Sequence, residues 1–134
     1  NILFRLPKRA DTAARLQEKL QQLNCQINLD ASASTLEVAD QQMVEILRGL
    51  MREARILILD EPTEGIQPSV IKEIGGVIRQ LASRGDMAIL LVEQFYDFAA
   101  GLADHYLVMS RGAIVQQGKG GDMESDGVRA TSPG

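Results

Sequence analysis

Apolar residues recur at intervals of three and four along three stretches of the chain, which predicts three amphipathic helices. The first runs over 11–23, with Asp11 as its N-cap. The second runs over 38–52, and the third begins at Pro68, a residue type favoured at the first helical position. The predicted apolar faces are Ala13, Leu16, Leu20 and Leu23; Met43, Val44, Leu47, Leu50 and Met51; and Val70, Ile71, Ile74, Val77, Ile78 and Leu81.

Unbroken apolar runs alternate with these helices and predict strands. The stretches 56–59 (ILIL) and 88–92 (AILLV) lack polar alternation, as is typical of strands buried on both faces of a parallel sheet. Shorter runs at 106–109 and 113–115 flank Ser110-Arg111-Gly112, which predicts a hairpin turn. The order of elements therefore predicts an α/β fold with parallel strand–helix–strand crossovers behind a helical front end.

Composition narrows the functional classes. The 134 residues are 45% hydrophobic, which is enough for a packed core. A net charge of −4 argues against a nucleic-acid-binding surface, and no apolar stretch approaches the ~18 residues of a membrane span. With a single cysteine, Cys25, and a single histidine, His105, the chain offers no disulfide framework, cysteine-based zinc site or histidine triad.

The clearest candidate chemistry lies at 56–63 (ILILDEPT), where an apolar strand ends in two acids. Open α/β sheets bind ligands at the carboxyl ends of their strands. In a phosphoryl-transfer site, Asp60 would associate with Mg²⁺ and Glu61 would orient or deprotonate the attacking water. The alternative is that both acids are solvated and merely end the strand.

The same stretch resembles the Walker B strand and catalytic glutamate of ATP-binding-cassette (ABC) ATPases, and other motifs follow in that family's order. The next residues (TEGIQP) resemble the D-loop, with Gln67 where the family usually has Asp. The stretch 88–94 (AILLVEQ) resembles the following strand and its switch residue, with Gln94 where most members have His. Residues 103–112 resemble the late strand and hairpin of the cassette.

A degenerate form of the family signature lies upstream. Residues 36–42 (LEVADQQ) align with Leu-Ser-Gly-Gly-Gln, but Glu37, Val38 and Ala39 replace the serine and both glycines. In the family this loop binds the γ-phosphate held by the partner subunit. Glu37 would bring negative charge towards that phosphate, and Val38 and Ala39 would crowd its close approach.

The resemblance implies a partial P-loop NTPase (ABC ATPase) fold, in which a helical segment precedes the Walker B half of a RecA-like parallel sheet. It implies part of the helical and signature subdomain over 1–54 and half of the catalytic core over 55–117. The glycine-rich residues 118–134 are expected to form a flexible tail.

Roles follow from the resemblance by position. Asp60 would be the Mg²⁺-associated acid, Glu61 the general base and Gln94 the γ-phosphate sensor, while Gln67 would contact the opposing subunit. The resemblance also implies ATP and Mg²⁺ as the family's cofactors and transporter membrane subunits as partners. A place on the cytoplasmic side of the membrane, without insertion into it, follows likewise.

The Walker A pattern Gly-x-x-x-x-Gly-Lys-Ser/Thr does not occur in the 134 residues. In the family it precedes the first position matched here, and the start at Asn1 without a methionine suggests a fragment. Phosphoryl transfer depends on that loop, so the chain alone is expected to bind neither ATP nor Mg²⁺. Three hypotheses stay open: an ATPase segment active only in a whole transporter, a non-enzymatic structural module, and complementation in trans.

Lack of the phosphate-loop strand has a further expected consequence. In the cassette we expect that strand beside the Walker B strand, so its lack would leave an unpaired edge and exposed apolar side chains along 56–59. The expectation is self-association by strand pairing or domain swapping. The alternative is a monomer whose front helices cover the gap.

The two halves of the chain resemble different branches of the family. Residues 1–63 look most like the ATPase of the autoinducer-2 and simple-sugar importers, whose signature is similarly degenerate. Residues 64–130 look most like the urea importer ATPase of the branched-chain amino-acid group. The hypothesis is a chimera with its seam near 57–63; the alternative is one divergent natural protein.

Overall fold

The computed structural model describes residues 11–23, 27–28 and 31–131. Cys25 lies outside these ranges. The chain forms two compact units. The first is built from the described parts of Asn1–Ile58 and Glu64–Leu90, and the second from those of Leu59–Thr63 and Leu91–Gly134.

Three helices make the core of the first unit: α1 (Thr12–Gln22), α2 (Val38–Met51) and α3 (Pro68–Ser83). A short 3₁₀ turn, Ala33–Thr35, precedes α2, and α1 packs against α2. Pro68 opens α3, where its missing N–H leaves no hydrogen bond unmade. The buried side chains of the three helices are Leu16 and Leu20; Met43, Val44, Ile46, Leu47, Leu50 and Met51; and Ile74, Val77, Ile78 and Leu81.

The helices predicted from periodicity are confirmed to within one residue at the ends that were predicted. Three details of their faces differ. Val70 and Ile71, in the first turn of α3, are only half-buried although they were predicted to belong to its buried face. Ala13 is exposed, because it lies in the first turn of α1, where the rest of its face begins at Leu16. Ile46 is buried although it lies outside the predicted face, because the apolar stripe of α2 is wider than the one predicted.

Strands β1 (Ile56–Asp60) and β2 (Ala88–Val92) pair in a two-stranded sheet. Ala88 N–H donates to the Arg55 carbonyl at one end, and Glu61 N–H donates to the Val92 carbonyl at the other, so the strands run parallel. Both carboxyl ends therefore lie at the same edge of the sheet. This confirms the predicted parallel pair.

The expectation that the first strand is buried on both faces is wrong for this chain. Leu57 and Leu59 are each 7% exposed, whereas Ile56 and Ile58 are 66% and 64% exposed. Side chains alternate across a strand, so one face of β1 is covered and the other is open. Exposure had been expected along 56–59, and the structure confines it to one face.

The second unit is built on a hairpin. Helix α4 (Tyr96–Ala100) leads into β3 (His105–Ser110), which pairs antiparallel with β4 (Ala113–Lys119). Arg111 and Gly112 both have positive φ, 48° and 79°, as a two-residue type I′ turn requires. The predicted hairpin turn is confirmed, and β4 carries one extra residue opposite the Val108–Met109 step of β3.

Residues after β4 differ from the flexible tail expected there. A 3₁₀ turn, Gly120–Asp122, follows the strand directly, and helix α5 spans Val128–Thr131. Met123 and Val128 are buried against Tyr106 and Val108 of the hairpin. These two apolar side chains cover the inner face of β3, which is why the described part of this glycine-rich segment is packed.

The core of the first unit gives a matched test of packing. Ile74 is completely buried, so Ile74→Val should lower the free energy of unfolding by about 1 kcal/mol. Ile58→Val removes the same methylene from a side chain that is 64% exposed and should change it by less than about 0.5 kcal/mol. Urea denaturation followed by circular dichroism measures both; equal losses would contradict the assigned core.

Alkaline pH should weaken the second unit through Tyr106. The phenol donates a hydrogen bond to the Asp126 carboxylate, and this bond, followed by burial and the negative charge of Asp126, raises the pKa of Tyr106 above its usual 10.0. A raised pKa means that the stabilisation is complete below pH 10 and is lost as pH rises through the folded pKa. Urea midpoints should fall above pH 10 more steeply in the wild type than in Tyr106→Phe, whereas Tyr96→Phe should follow the wild type.

Candidate functional site

The loops that leave β1 and β2 meet at the carboxyl edge of the parallel pair. Gln94 Nε2 donates to Glu61 Oε1 at 2.6 Å, and Glu61 N–H donates to the Val92 carbonyl at 2.8 Å. Asp60 is the last residue of β1 and its side chain is exposed. The structure therefore brings together the predicted base, Glu61, and the predicted switch residue, Gln94. The predicted Mg²⁺-associated acid, Asp60, directly precedes Glu61 in the chain.

Glu61 has an unusual backbone. Its φ is 45°, in the left-handed region that residues other than glycine seldom adopt. Such conformations cost about 1–3 kcal/mol and cluster at functional sites. Here the turn directly after β1 holds the Glu61 carboxylate at the Gln94 amide.

A second carboxylate, Glu93, ties the same two loops together. Its Oε1 accepts hydrogen bonds from the Thr63 backbone N–H, at 3.1 Å, and from the Thr63 hydroxyl. Its Oε2 accepts from the Phe95 N–H at 3.0 Å. Glu93 belongs to the matched motif but has no role predicted from the sequence. The signal that could have identified it is an acid directly after a strand, at the same sheet edge as Asp60 and Glu61.

The other predicted site residues belong to the first compact unit. Gln67 is the exposed N-cap residue of α3, and its side chain makes no capping hydrogen bond. Glu37 occupies the N-cap position of α2, again without a side-chain cap, and Val38 and Ala39 begin that helix. The degenerate signature thus leads into a helix N-terminus, where partial positive charge favours anions and where Glu37 itself already supplies one.

Asp60 is the candidate metal ligand. Within the described ranges, no three His, Cys, Asp or Glu side chains cluster closely enough to hold a metal ion. An exposed carboxylate at a strand end suits a cation such as Mg²⁺, which retains several waters and takes other ligands from phosphates. Also within those ranges, no helix is long and apolar enough to span a bilayer.

Comparison with known proteins finds relatives in sequence and in fold. A family model described as ABC transporter matches residues 4–64. The chain is 55% identical over 119 residues to the Autoinducer 2 import ATP-binding protein LsrA of Enterobacter sp. (strain 638). It is 40% identical over 88 residues to the High-affinity branched-chain amino acid transport ATP-binding protein BraG of Pseudomonas aeruginosa.

A solved structure agrees. The crystal structure of a nucleotide-free ATP-binding cassette from an ABC transporter superposes with a TM-score of 0.81 at 25% identity, over 92% of this chain. The chain is thus similar to part of an ABC transporter ATP-binding domain. The α/β ABC ATPase fold expected from the motifs is confirmed as a partial fold, with a small parallel sheet and a small antiparallel one.

The chain is short beside these relatives. The chain spans 24% of the LsrA relative and 37% of the BraG relative, and 48% of the solved cassette. The alignment with the LsrA relative takes in 89% of the chain and so crosses the expected seam at 57–63. The Gln94–Glu61 contact joins the two residues that the motifs predict as switch residue and catalytic glutamate, and those two roles stay predictions.

Proposed function

We propose that this chain supplies the carboxylate half of an ATP-hydrolysing site that drives solute import. The observation that carries the proposal is the contact between the Gln94 amide and the Glu61 carboxylate at the carboxyl edge of β1 and β2. A general base must be aimed and able to accept a proton. The contact aims Glu61 through Oε1, and its second oxygen remains to accept a proton from water.

The remaining residues have supporting roles in this proposal. Mg²⁺, when bound with ATP, would neutralise charge on the phosphates, and Asp60 would hold it directly or through water. Gln94 would act as the γ-phosphate sensor, because its side-chain amide can hydrogen-bond to the phosphate and to the Glu61 carboxylate at the same time. Gln67 would contact the opposing ATP-binding subunit. The membrane subunits of an importer would be the other partners, on the cytoplasmic side of the membrane.

We propose further that the chain alone neither binds nor hydrolyses ATP. Its 134 residues contain no Walker A pattern, so nothing in them matches the backbone cradle and lysine that hold a triphosphate. Glu37 at the start of α2 adds negative charge where the family signature meets phosphate. The first feature removes the chain's own phosphate site, and the second weakens the contact with a γ-phosphate that a partner subunit would hold.

Mixing tests the half-site directly. The chain is combined with a purified segment that carries the phosphate loop of a related ABC ATPase, and phosphate release is measured with Mg²⁺-ATP. Hydrolysis well above the sum of the separate components would support the proposal. A mixture no more active than the segment alone would contradict it.

Exposed apolar side chains favour a second candidate, a structural module that self-associates. In the first unit, Ile56 and Ile58 of β1 are 66% and 64% exposed, and Leu90 of β2 is 50% exposed. A sheet with open apolar positions of this kind invites pairing with a second copy. Light scattering should then show oligomers at tens of micromolar.

A charge placed on the open face tests that candidate. Ile58→Lys should shift the oligomer towards monomer, whereas Ala82→Lys puts the same charge on an exposed position of α3 and should not. A monodisperse wild-type monomer would exclude self-association. Equal effects of the two lysines would exclude this face as the interface.

The origin from two parents is a further proposal. It predicts that identity to autoinducer-2 importer ATPases is much higher over 1–63 than over 64–130, and that urea importer ATPases show the reverse. Similar identity on both sides of the seam would instead support one divergent protein.

A further inference from the structure

Glu93 sits where it can set the geometry of the candidate site. It precedes Gln94, and its carboxylate accepts three hydrogen bonds: two from Thr63 and one from the N–H of Phe95. Thr63 lies two residues after Glu61, across the fully buried Pro62. The loops after β1 and β2 are thus joined by two parallel contacts, Glu61 with Gln94 and Thr63 with Glu93.

The chemistry of this bridge requires a carboxylate. All three of its partners are donors, namely two backbone N–H groups and one hydroxyl, and an ionised carboxylate is an acceptor at both oxygens. Glutamine at this position could keep one set of bonds through its carbonyl oxygen. Its NH₂ group would then face a donor at the other end, so one side of the bridge would be lost.

The bridge also bears on the unusual backbone of Glu61. A residue with φ of 45° tends to relax unless its neighbours hold it. The hydrogen bond from the Glu61 N–H to the Val92 carbonyl holds the backbone at the first residue of this turn. The hydrogen bond from the Thr63 N–H to the Glu93 carboxylate holds it two residues later. Opening the bridge frees one side of this turn.

We propose that Glu93 is a positioning residue that holds the Gln94 amide against the Glu61 carboxylate by clamping Thr63. Glu93 contacts neither of the groups assigned to the reaction and acts through the two loops. The proposal rests on the function proposed above for Glu61 and Gln94. The part of the proposal that concerns geometry, namely that Glu93 holds Gln94 against Glu61, applies to the chain alone and is measured without ATP.

The first arm of the test uses nuclear magnetic resonance on the full chain. Glu93→Gln should speed hydrogen exchange of the Thr63 or Phe95 amide and of the Gln94 side-chain amide by about tenfold, the loss expected for one charge-assisted hydrogen bond. Glu124→Gln makes the same change on an exposed residue of the second unit and should leave these rates unchanged. Urea midpoints of all variants show whether the fold persists.

The second arm uses the mixture with the phosphate-loop segment. Glu93→Gln should lower kcat by about tenfold while KM for ATP stays within about twofold, because the clamp aims the base and does not hold nucleotide. Glu93→Asp retains the charge on a shorter side chain and should recover part of the loss. A general loss of stability would not separate kcat from KM in this way.

The outcomes separate the clamp from the proposed function. Unchanged exchange of the Gln94 amide in Glu93→Gln would overturn the clamp, whether or not the mixture is active. Faster exchange together with an inactive wild-type mixture would support the clamp and contradict the proposed function. Faster exchange with a selective fall in kcat supports both.

Discussion

Glu61→Gln is expected to lower ATP hydrolysis by the reconstituted mixture by between about 10²-fold and 10⁴-fold, the range attributed to a general base. The amide keeps the size of the side chain and can still meet Gln94, but it cannot take a proton from water at neutral pH. ATP binding by the mixture should persist, because the phosphate loop supplies it. Phosphate release and nucleotide binding are measured on the same samples.

Glu73→Gln is the matched control for that prediction. Glu73 is exposed on α3, away from the strand ends in sequence, and its replacement makes the same change of charge. It should retain wild-type hydrolysis. Loss of activity in both variants, or in neither, would contradict the role proposed for Glu61.

Gly120→Ala is expected to destabilise the second unit strongly. A Cβ on Gly120 would lie 1.6 Å from the carbonyl oxygen of Ala103, a backbone atom that no rotamer change can move away. The close approach is fixed by the hydrogen bond from the Gly120 N–H to the Asp104 carbonyl, at 2.8 Å. Overpacking against a backbone atom should cost about 3 kcal/mol, the upper end of the usual range.

The next residue provides the control. A Cβ on Gly121 would meet nothing within 4 Å, so Gly121→Ala should change the free energy of unfolding by less than about 0.5 kcal/mol. Urea unfolding with circular dichroism detection compares the two. Similar stability of both variants would show that the turn after β4 does not pack against Ala103 in solution.

Much of the fold could be predicted because apolar spacing is a local property. The stripes of α1, α2 and α3 and the turn at Arg111-Gly112 are determined by neighbouring residues, and the structure has them. The packed end of the chain could not be predicted, because Met123 and Val128 are isolated among polar and glycine residues. Only the inner face of β3 shows what they cover.

The candidate site divides in the same way. Asp60, Glu61 and Gln94 were found because each stands at a strand end within a motif that resembles a known family. The Glu93 bridge to Thr63 was missed because it joins residues 30 apart in sequence. The left-handed backbone of Glu61 was missed too, because glycine is the residue type that indicates a positive φ in a sequence and glutamate does not.

Calorimetric titration of the purified chain with millimolar Mg²⁺-ATP tests the central claim most directly, namely that these residues form half of a nucleotide site. We predict no saturable heat of binding, because the 134 residues contain no phosphate loop to hold the triphosphate beside the carboxylates at the end of β1. Saturable binding in the micromolar range would contradict it, because the chain or its oligomer would then hold the triphosphate without that loop.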